Sequence, residues 1–402
     1  SHFCSRGISQ YITGFCVFAS SMALLIADIV RFLALSLAIL PAGAAHCERG
    51  EAQAQPLASY SSALCLDGSA GRYYIRPGSG NGKAKFVIYH EGGGFCTSHA
   101  DCARRALGSL GSTKDDAPTR CLDTPILSSS KEDNPLLWNW NHVFVRYCDG
   151  AYMSGDRVEP INVSGASIHY RGRHITEAVF ADLRFRHSLA AATDIVITGC
   201  SAGAIRSLAH IDALAAKLPS AARVMAFPDS GFYLDRAMFT PLKHFVVAHD
   251  GQNGTALLNH DCVADQPAGQ EELCLIGSVV SRYVATPVFA GQSRYDTDQR
   301  GCEMSASCSL SSSCVRSYGD SVTSAVQNAL LRRSTANGVF LDSCSRHCYS
   351  GALPVDDASG LNPMQAFASW YAGNGRWYGQ NATTESYPCK RCCSKPARAV
   401  FV

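Results

Sequence analysis

The segment Asp194-Ile-Val-Ile-Thr-Gly199-Cys200-Ser201-Ala202-Gly203 constrains this chain more than any other. An apolar, β-branched run ends in Gly-x-Ser-x-Gly, and an alanine-rich stretch with Leu208 and Leu214 follows. The order predicts a buried strand, a sharp turn and a helix, with the Ser201 hydroxyl lifted above a sheet edge. Glycines on both sides suit a strained turn whose neighbours crowd closely. The N-terminus of the following helix favours negative charge developing beside the hydroxyl.

Other short apolar runs repeat the theme. Strands are expected near 86–89, 143–147, 195–198, 223–227 and 287–290, and helices near 175–188, 202–218 and 321–333. Near-continuous apolar strands alternating with helices predict an α/β fold, a mostly parallel central sheet covered on both faces. Chemistry on such a sheet gathers beyond the carboxyl ends of its strands. Residues 106–135 and 250–275 read as irregular excursions, with a cysteine-stapled surface preferred over a lid.

A serine hydroxyl needs a base to take its proton. In a strand–turn–helix architecture of this kind the chain order is Ser, acid, His. Of thirteen histidines, five follow Ser201: His210, His244, His249, His260 and His347. His210 falls on the helix directly after the serine. His347 stands late, between Cys344 and Cys348, and is the expected base. The acid should follow a strand and precede it. Asp296 is the choice; Asp229 is the chief competitor, and Asp298 and Asp342 are weaker ones. Glu91, Asp229 and Tyr295 are further candidates for lining the pocket.

Phe86-Val-Ile-Tyr-His-Glu91-Gly92-Gly93-Gly94-Phe95-Cys96 sets a glycine run after an early strand. Backbone N–H groups of Gly93, Gly94 and Phe95, with that of Ala202, are the expected oxyanion hole. A phosphate-binding reading fails, because no Lys-Ser/Thr follows the glycines. No metal or cofactor is required by this chemistry.

Nineteen cysteines point to an oxidising compartment. Cys389-Lys-Arg-Cys392-Cys393 has no paired second half for a zinc module, so disulfides are expected to pin the tail. Asn162, Asn253 and Asn381 begin N-glycosylation sequons. Residues 1–45 carry Arg31, a short apolar core and small residues at Pro41-Ala-Gly-Ala-Ala45. They are expected to be a signal peptide, with an uncleaved anchor as the alternative. Residues 46–402 are expected to form a single domain. A net charge of +2 argues for no nucleic-acid partner. No membrane contact is expected beyond the N-terminal segment, and a monomer is expected.

A series of segments resembles the pectin acetylesterase family, which also includes the animal carboxylesterase Notum. They include Glu91-Gly-Gly-Gly-Phe-Cys96, Asn139-Trp-Asn-His-Val-Phe-Val-Arg-Tyr-Cys-Asp-Gly-Ala151, Gly199-Cys-Ser-Ala-Gly203, Pro228-Asp-Ser-Gly-Phe-Tyr-Leu-Asp235, Tyr295-Asp296 and Ser343-Cys-Ser-Arg-His-Cys348. The resemblance spans residues 60 to 393. It implies an α/β-hydrolase-like fold and a triad of Ser201, Asp296 and His347. The implied substrate is an acylated polysaccharide such as pectin, or else an acylated protein; the alternative from another class is a secreted binding protein that keeps the fold without turnover, against which intact Ser201, Asp296 and His347 argue. Phe95 stands where the family usually has Trp, and Ala204 where it has Gly. Plant members often carry Cys where Ile211 stands. With seventeen cysteines after residue 45, Cys200 is expected to be unpaired.

Overall fold

The computed structural model describes residues 47, 50–379, 387 and 393. The N-terminal segment 1–45 and Asn381 lie outside the described residues.

Strands β1 (Glu51–Pro56), β2 (Arg72–Arg76), β3 (Lys85–His90), β4 (Thr119–Cys121) and β5 (Asn141–Val145) build one half of a sheet. A short hairpin, β6 (Ile161–Val163) and β7 (Ala166–Ile168), stands apart. Strands β8 (Asp194–Cys200), β9 (Arg223–Asp229), β10 (Phe289–Ser293), β11 (Gly338–Asp342) and β12 (Trp377–Gly379) complete the sheet. Its ten strands run β12-β11-β10-β9-β8-β3-β5-β2-β1-β4. From β12 to β5 all pairings are parallel; β2, β1 and β4 add an antiparallel edge.

The parallel strands are buried on both faces, as such sheets must be. Along β3, Phe86 and Ile88 join one apolar cluster, while Val87 and Tyr89 join the other. Along β8, Ile195 and Ile197 take the first side and Val196 the second. This is the period-two alternation of a pleated strand. Helix α1 (His99–Arg105) packs by the β6–β7 hairpin in a separate small cluster, while the first face is packed by α2 (Gly172–Arg186), α3 (Ala202–Ala209) and the helix Ser312–Val326. The second is covered by the helix Pro363–Tyr371, through Phe367 and Trp370, and by Leu127, Leu137 and Trp140. Each fully buried side chain of this kind contributes roughly 1.5–3 kcal/mol by leaving water. The architecture is α/β-hydrolase-like.

Strand order reverses around β3, with β5 on one side and β8 to β12 on the other. Carboxyl ends of β3 and β8 therefore border the crevice where such sheets bind ligands.

Several expected boundaries shift. The fifth expected strand begins at Phe289 and continues to Ser293, and β9 runs on to Asp229. Strands β1, β2, β11 and β12 were not expected at all. The long helix expected over 202–218 breaks at His210 (φ −108°, ψ 7°) and resumes over Ile211–Ala215. There the Asp212 carboxylate accepts hydrogen bonds from Ala285 N, Thr286 N and Asn259 Nδ2, an attachment made outside the helix. The helix expected over 321–333 starts earlier, at Ser312, and ends in a π turn over Gln327–Leu331.

Disulfides staple the connections. Cys47–Cys121, Cys65–Cys148, Cys96–Cys102, Cys262–Cys274 and Cys308–Cys314 secure loops, and Cys344–Cys393 holds the tail. The excursion over 250–275 is stapled by Cys262–Cys274. Among the described residues no helix is long and apolar enough to cross a membrane.

Candidate active site

Ser201 follows the last residue of β8 and precedes the first of α3. Its backbone takes φ 57° and ψ −119°, a region side chains normally avoid. The turn is held by its neighbours. Ser201 N donates to the Asp229 carbonyl at 3.2 Å, and the Ser201 carbonyl accepts from Ala204 N and Ile205 N at 2.9 Å. A Cβ at Gly203 or Gly199 would collide with the His90 carbonyl oxygen at the end of β3. Glycine at both positions lets α3 and β8 close onto β3. As the first residue of α3, Ala202 has an N–H with no intrahelical acceptor.

The glycine run lies directly on this turn. A Cβ at Gly92 would strike the Cys200 carbonyl oxygen and come within 3.1 Å of Ser201 Cβ. Gly93 and Gly94 have φ of 153° and 69°. Their carbonyls are claimed from behind. Arg105 Nη1 donates to Gly93 O at 2.6 Å, Arg105 Nη2 to Phe95 O at 3.3 Å, and Tyr147 Oη to Gly94 O at 2.5 Å. In a trans peptide the N–H opposes the C=O. Fixing the Gly93 and Gly94 carbonyls therefore turns the N–H groups of Gly94 and Phe95 the other way.

Glu91, a candidate for lining the pocket, has its carboxylate engaged by the neighbouring strand and loop. Its carboxylate accepts from the buried Arg146 guanidinium, from Arg120 at 3.2 Å and from Tyr147 N at 3.0 Å. A carboxylate between two arginines is committed to bracing the loop against the end of β5.

Asp296 lies three residues beyond β10 and is fully buried. One oxygen caps the helix Thr297–Glu303, accepting from Asp298 N at 2.9 Å and Gln299 N at 3.0 Å. His347 Nδ1 lies 2.9 Å and 2.8 Å from the two carboxylate oxygens. Burial pulls the imidazole pKa down; the Asp296 hydrogen bond and charge outweigh it, and the pKa is held above its ordinary value. His347 Nε2 is buried and has no hydrogen-bond partner among the described residues, the Ser201 hydroxyl included. Free enzymes often show such a gap, which tightens when substrate arrives.

The competing carboxylates have other partners. Asp229 accepts from Tyr349 N at 2.7 Å and Ser230 Oγ at 3.2 Å, and burial pushes its carboxyl up to about 6. Its backbone carbonyl accepts from Ser201 N, so it stands beside the serine turn. Asp342 binds Cys344 N and Arg346, and Asp298 accepts from Tyr233 Oη at 3.1 Å. Tyr295, also a candidate for lining the pocket, is buried. It is 2% exposed, its ring lies 5.1 Å from that of Tyr387 at a 55° tilt, and it fills the space a side chain at Gly319 would need.

Cys200 is not unpaired. It is bonded to Cys348, so the residue before Ser201 is joined to the residue after His347. The odd cysteine count misled because cysteines outside the described residues enter it. Heteroatoms of Cys200, His347 and Cys348 lie within 4.8 Å of one another, but the two sulfurs are bonded together and offer no thiolate pair to a metal.

Nothing in the sequence pointed to the surroundings of Phe95. Its ring lies 5.4 Å from Tyr152 and 6.0 Å from Phe239. Lys243, fully buried, sets its Nζ 3.3 Å from the Phe239 centroid, 4.4 Å from that of Phe95 and 5.4 Å from that of Tyr233. Burial drives its pKa well below the usual lysine range. Beneath them, buried Arg206 on α3 donates to the Tyr152 and Met153 carbonyls at 2.9 and 2.8 Å.

The model of the pectinacetylesterase family matches residues 51–394. The chain belongs to that family. Pectin acetylesterase 11 of Arabidopsis thaliana is 28% identical over 358 residues, covering 83% of this chain and 88% of the relative. Pectin acetylesterase 5 of the same plant is 30% identical, covering 82% of each. The palmitoleoyl-protein carboxylesterase NOTUM of Schmidtea mediterranea is 28% identical, covering 70% of this chain and 55% of that protein. In this pectinacetylesterase-family chain, Asn162 is exposed on the β6–β7 hairpin. Asn253 is half-buried, its amide donating to the Asp156 carbonyl at 3.2 Å.

Proposed function

We propose that this protein is a secreted serine carboxylesterase that removes O-acetyl groups from a pectin-like polysaccharide. The observation that carries the reading is the His347–Asp296 contact, on a loop bonded to the residue before Ser201. Ser201 Oγ attacks the acetyl carbonyl, and His347 Nε2 takes its proton. Asp296 holds the imidazole in the tautomer that leaves Nε2 free to accept, and steadies its charged form. Negative charge on the carbonyl oxygen meets the N–H groups of Gly93, Gly94, Phe95 and Ala202. His347 then returns the proton to the departing sugar oxygen. Water, activated by the same imidazole, releases acetate from Ser201.

Likeness to the pectin acetylesterases over 82–83% of the chain favours an acetyl group. Likeness to NOTUM keeps a longer acyl group on a protein as the second reading. The disulfides support delivery through an oxidising secretory route, and residues 46–402 are read as one domain.

Fluorophosphonate labelling with peptide mapping, beside hydrolysis of acetate and octanoate esters, tests this. Labelling confined to Ser201, lost in Ser201→Ala, with acetate preferred is the expected result. An unlabelled Ser201 in active protein overturns the mechanism, and octanoate preference favours the second reading.

A further inference from the structure

We propose that the Cys200–Cys348 disulfide is a positioning brace that sets His347 against Ser201, beyond a general contribution to stability. This rests on the serine esterase reading of the site.

The topology creates the need. His347 follows β11, whereas Ser201 follows β8, and β9 and β10 lie between them. Three strand spacings of about 4.8 Å separate the two strands by roughly 14 Å. The loop after β11 must therefore cross the carboxyl ends of β10 and β9 before its imidazole can serve the serine. Hydrogen bonds mark the crossing. Arg346 O accepts from Thr297 N at 3.2 Å, Cys348 N donates to Ser230 Oγ at 2.9 Å, and Tyr349 N donates to Asp229 Oδ2 at 2.7 Å. At the far end the covalent bond holds the Cα atoms of Cys200 and Cys348 5.8 Å apart across a sequence separation of 148.

The brace acts on the two residues that flank it. Cys200 precedes a serine with φ 57°, and Cys348 follows the histidine with φ 60°. Both backbones are in the left-handed region, which side chains leave unless the surroundings hold them. The imidazole lies against the bond itself, within 4.8 Å of its sulfurs. Asp296 orients the ring from one side, and the disulfide stops the loop from withdrawing along the strand ends.

The test compares the double variant Cys200→Ala/Cys348→Ala with Cys262→Ala/Cys274→Ala, which removes a disulfide in another loop. For the first, kcat on an acetate ester falls at least tenfold while KM stays within about twofold. The His347 titration, followed by NMR, moves down as contact with Asp296 loosens; Asp298 and Asp229 also bear on that ring and keep part of the shift. The second variant loses thermal stability but keeps kcat and the His347 titration. Equal kcat and an unchanged His347 titration in the first variant overturn the brace. The NMR readout needs no turnover, so an inert wild-type protein would count against the esterase reading and not against this inference. If the double variant does not fold, the native protein is treated with a dithiol. The disulfide takes two electrons and two protons to give two thiols, and the dithiol becomes a cyclic disulfide. The His347 shift should track reduction of this pair as mapped by alkylation. An unshifted His347 after full reduction of the pair overturns the proposal.

Discussion

Arg105 Nη1 donates to the Gly93 carbonyl at 2.6 Å, so a guanidinium on α1 decides which way a peptide in the glycine run faces. Arg105 also reaches Phe95 O, and the two bonds hold the run at both ends.

Arg105→Met should therefore loosen the run without touching substrate. We expect kcat to fall roughly 10- to 100-fold, less than the roughly 10²- to 10³-fold for outright loss of an oxyanion-hole donor because the proposed donors are loosened and not removed, with little change in KM. Arg105→Lys should recover only part, since one ammonium does not reproduce a forked donor. Steady-state kinetics with an acetate ester check both.

Titration of His347 should appear in the pH profile. In the proposed mechanism the neutral imidazole is the base, so kcat/KM rises with pH through its pKa and is lost as pH falls below it. Because that pKa is held above the ordinary 6.5, the acid limb should sit above 6.5. Asp296→Asn removes the largest raising influence and leaves burial opposed only by the charges of Asp298 and Asp229, so the limb moves down in pH. Activity should fall about 10³- to 10⁴-fold through the wrong tautomer.

Gly92→Ala places a methyl group against the Cys200 carbonyl and Ser201 Cβ. Relief requires moving either the glycine run or the serine turn. Thermal unfolding should show a loss of about 1–3 kcal/mol, with activity reduced further than stability.

Glu303 is a buried carboxyl pushed up to about 8 by burial, with Tyr318 Oη and Leu234 N as hydrogen-bond donors. The fold thus binds this proton more tightly than the unfolded chain does. Its contribution to stability is fully present below about pH 4.5 and is lost as pH rises toward 8. Glu303→Gln cannot ionise, so the melting temperature should decline less between pH 5 and 8 than in the parent protein. A parallel decline in both proteins would contradict this.

The parts of the site visible in the sequence were local. Gly199-Cys-Ser-Ala-Gly203 defines its own turn, because the glycines and the buried strand act within ten residues. Glu91-Gly-Gly-Gly94 announces a backbone that side chains would obstruct. Chain order selected His347 and Asp296 from many histidines and aspartates. Strand β11, which delivers His347, went unnoticed although Val339-Phe-Leu341 is apolar, since so short a run resembles any buried segment.

Residue pattern alone determined the alternating α/β plan, the serine turn and the glycine run, because backbone sterics and burial act over short separations. Partnership was decided only by the tertiary structure: Cys200 with Cys348, Glu91 with Arg146 and Arg120, Lys243 among aromatic rings. Those pairings join positions up to 148 residues apart. They follow from strand order and loop crossing, which place groups in contact without leaving any spacing in the chain that would reveal it.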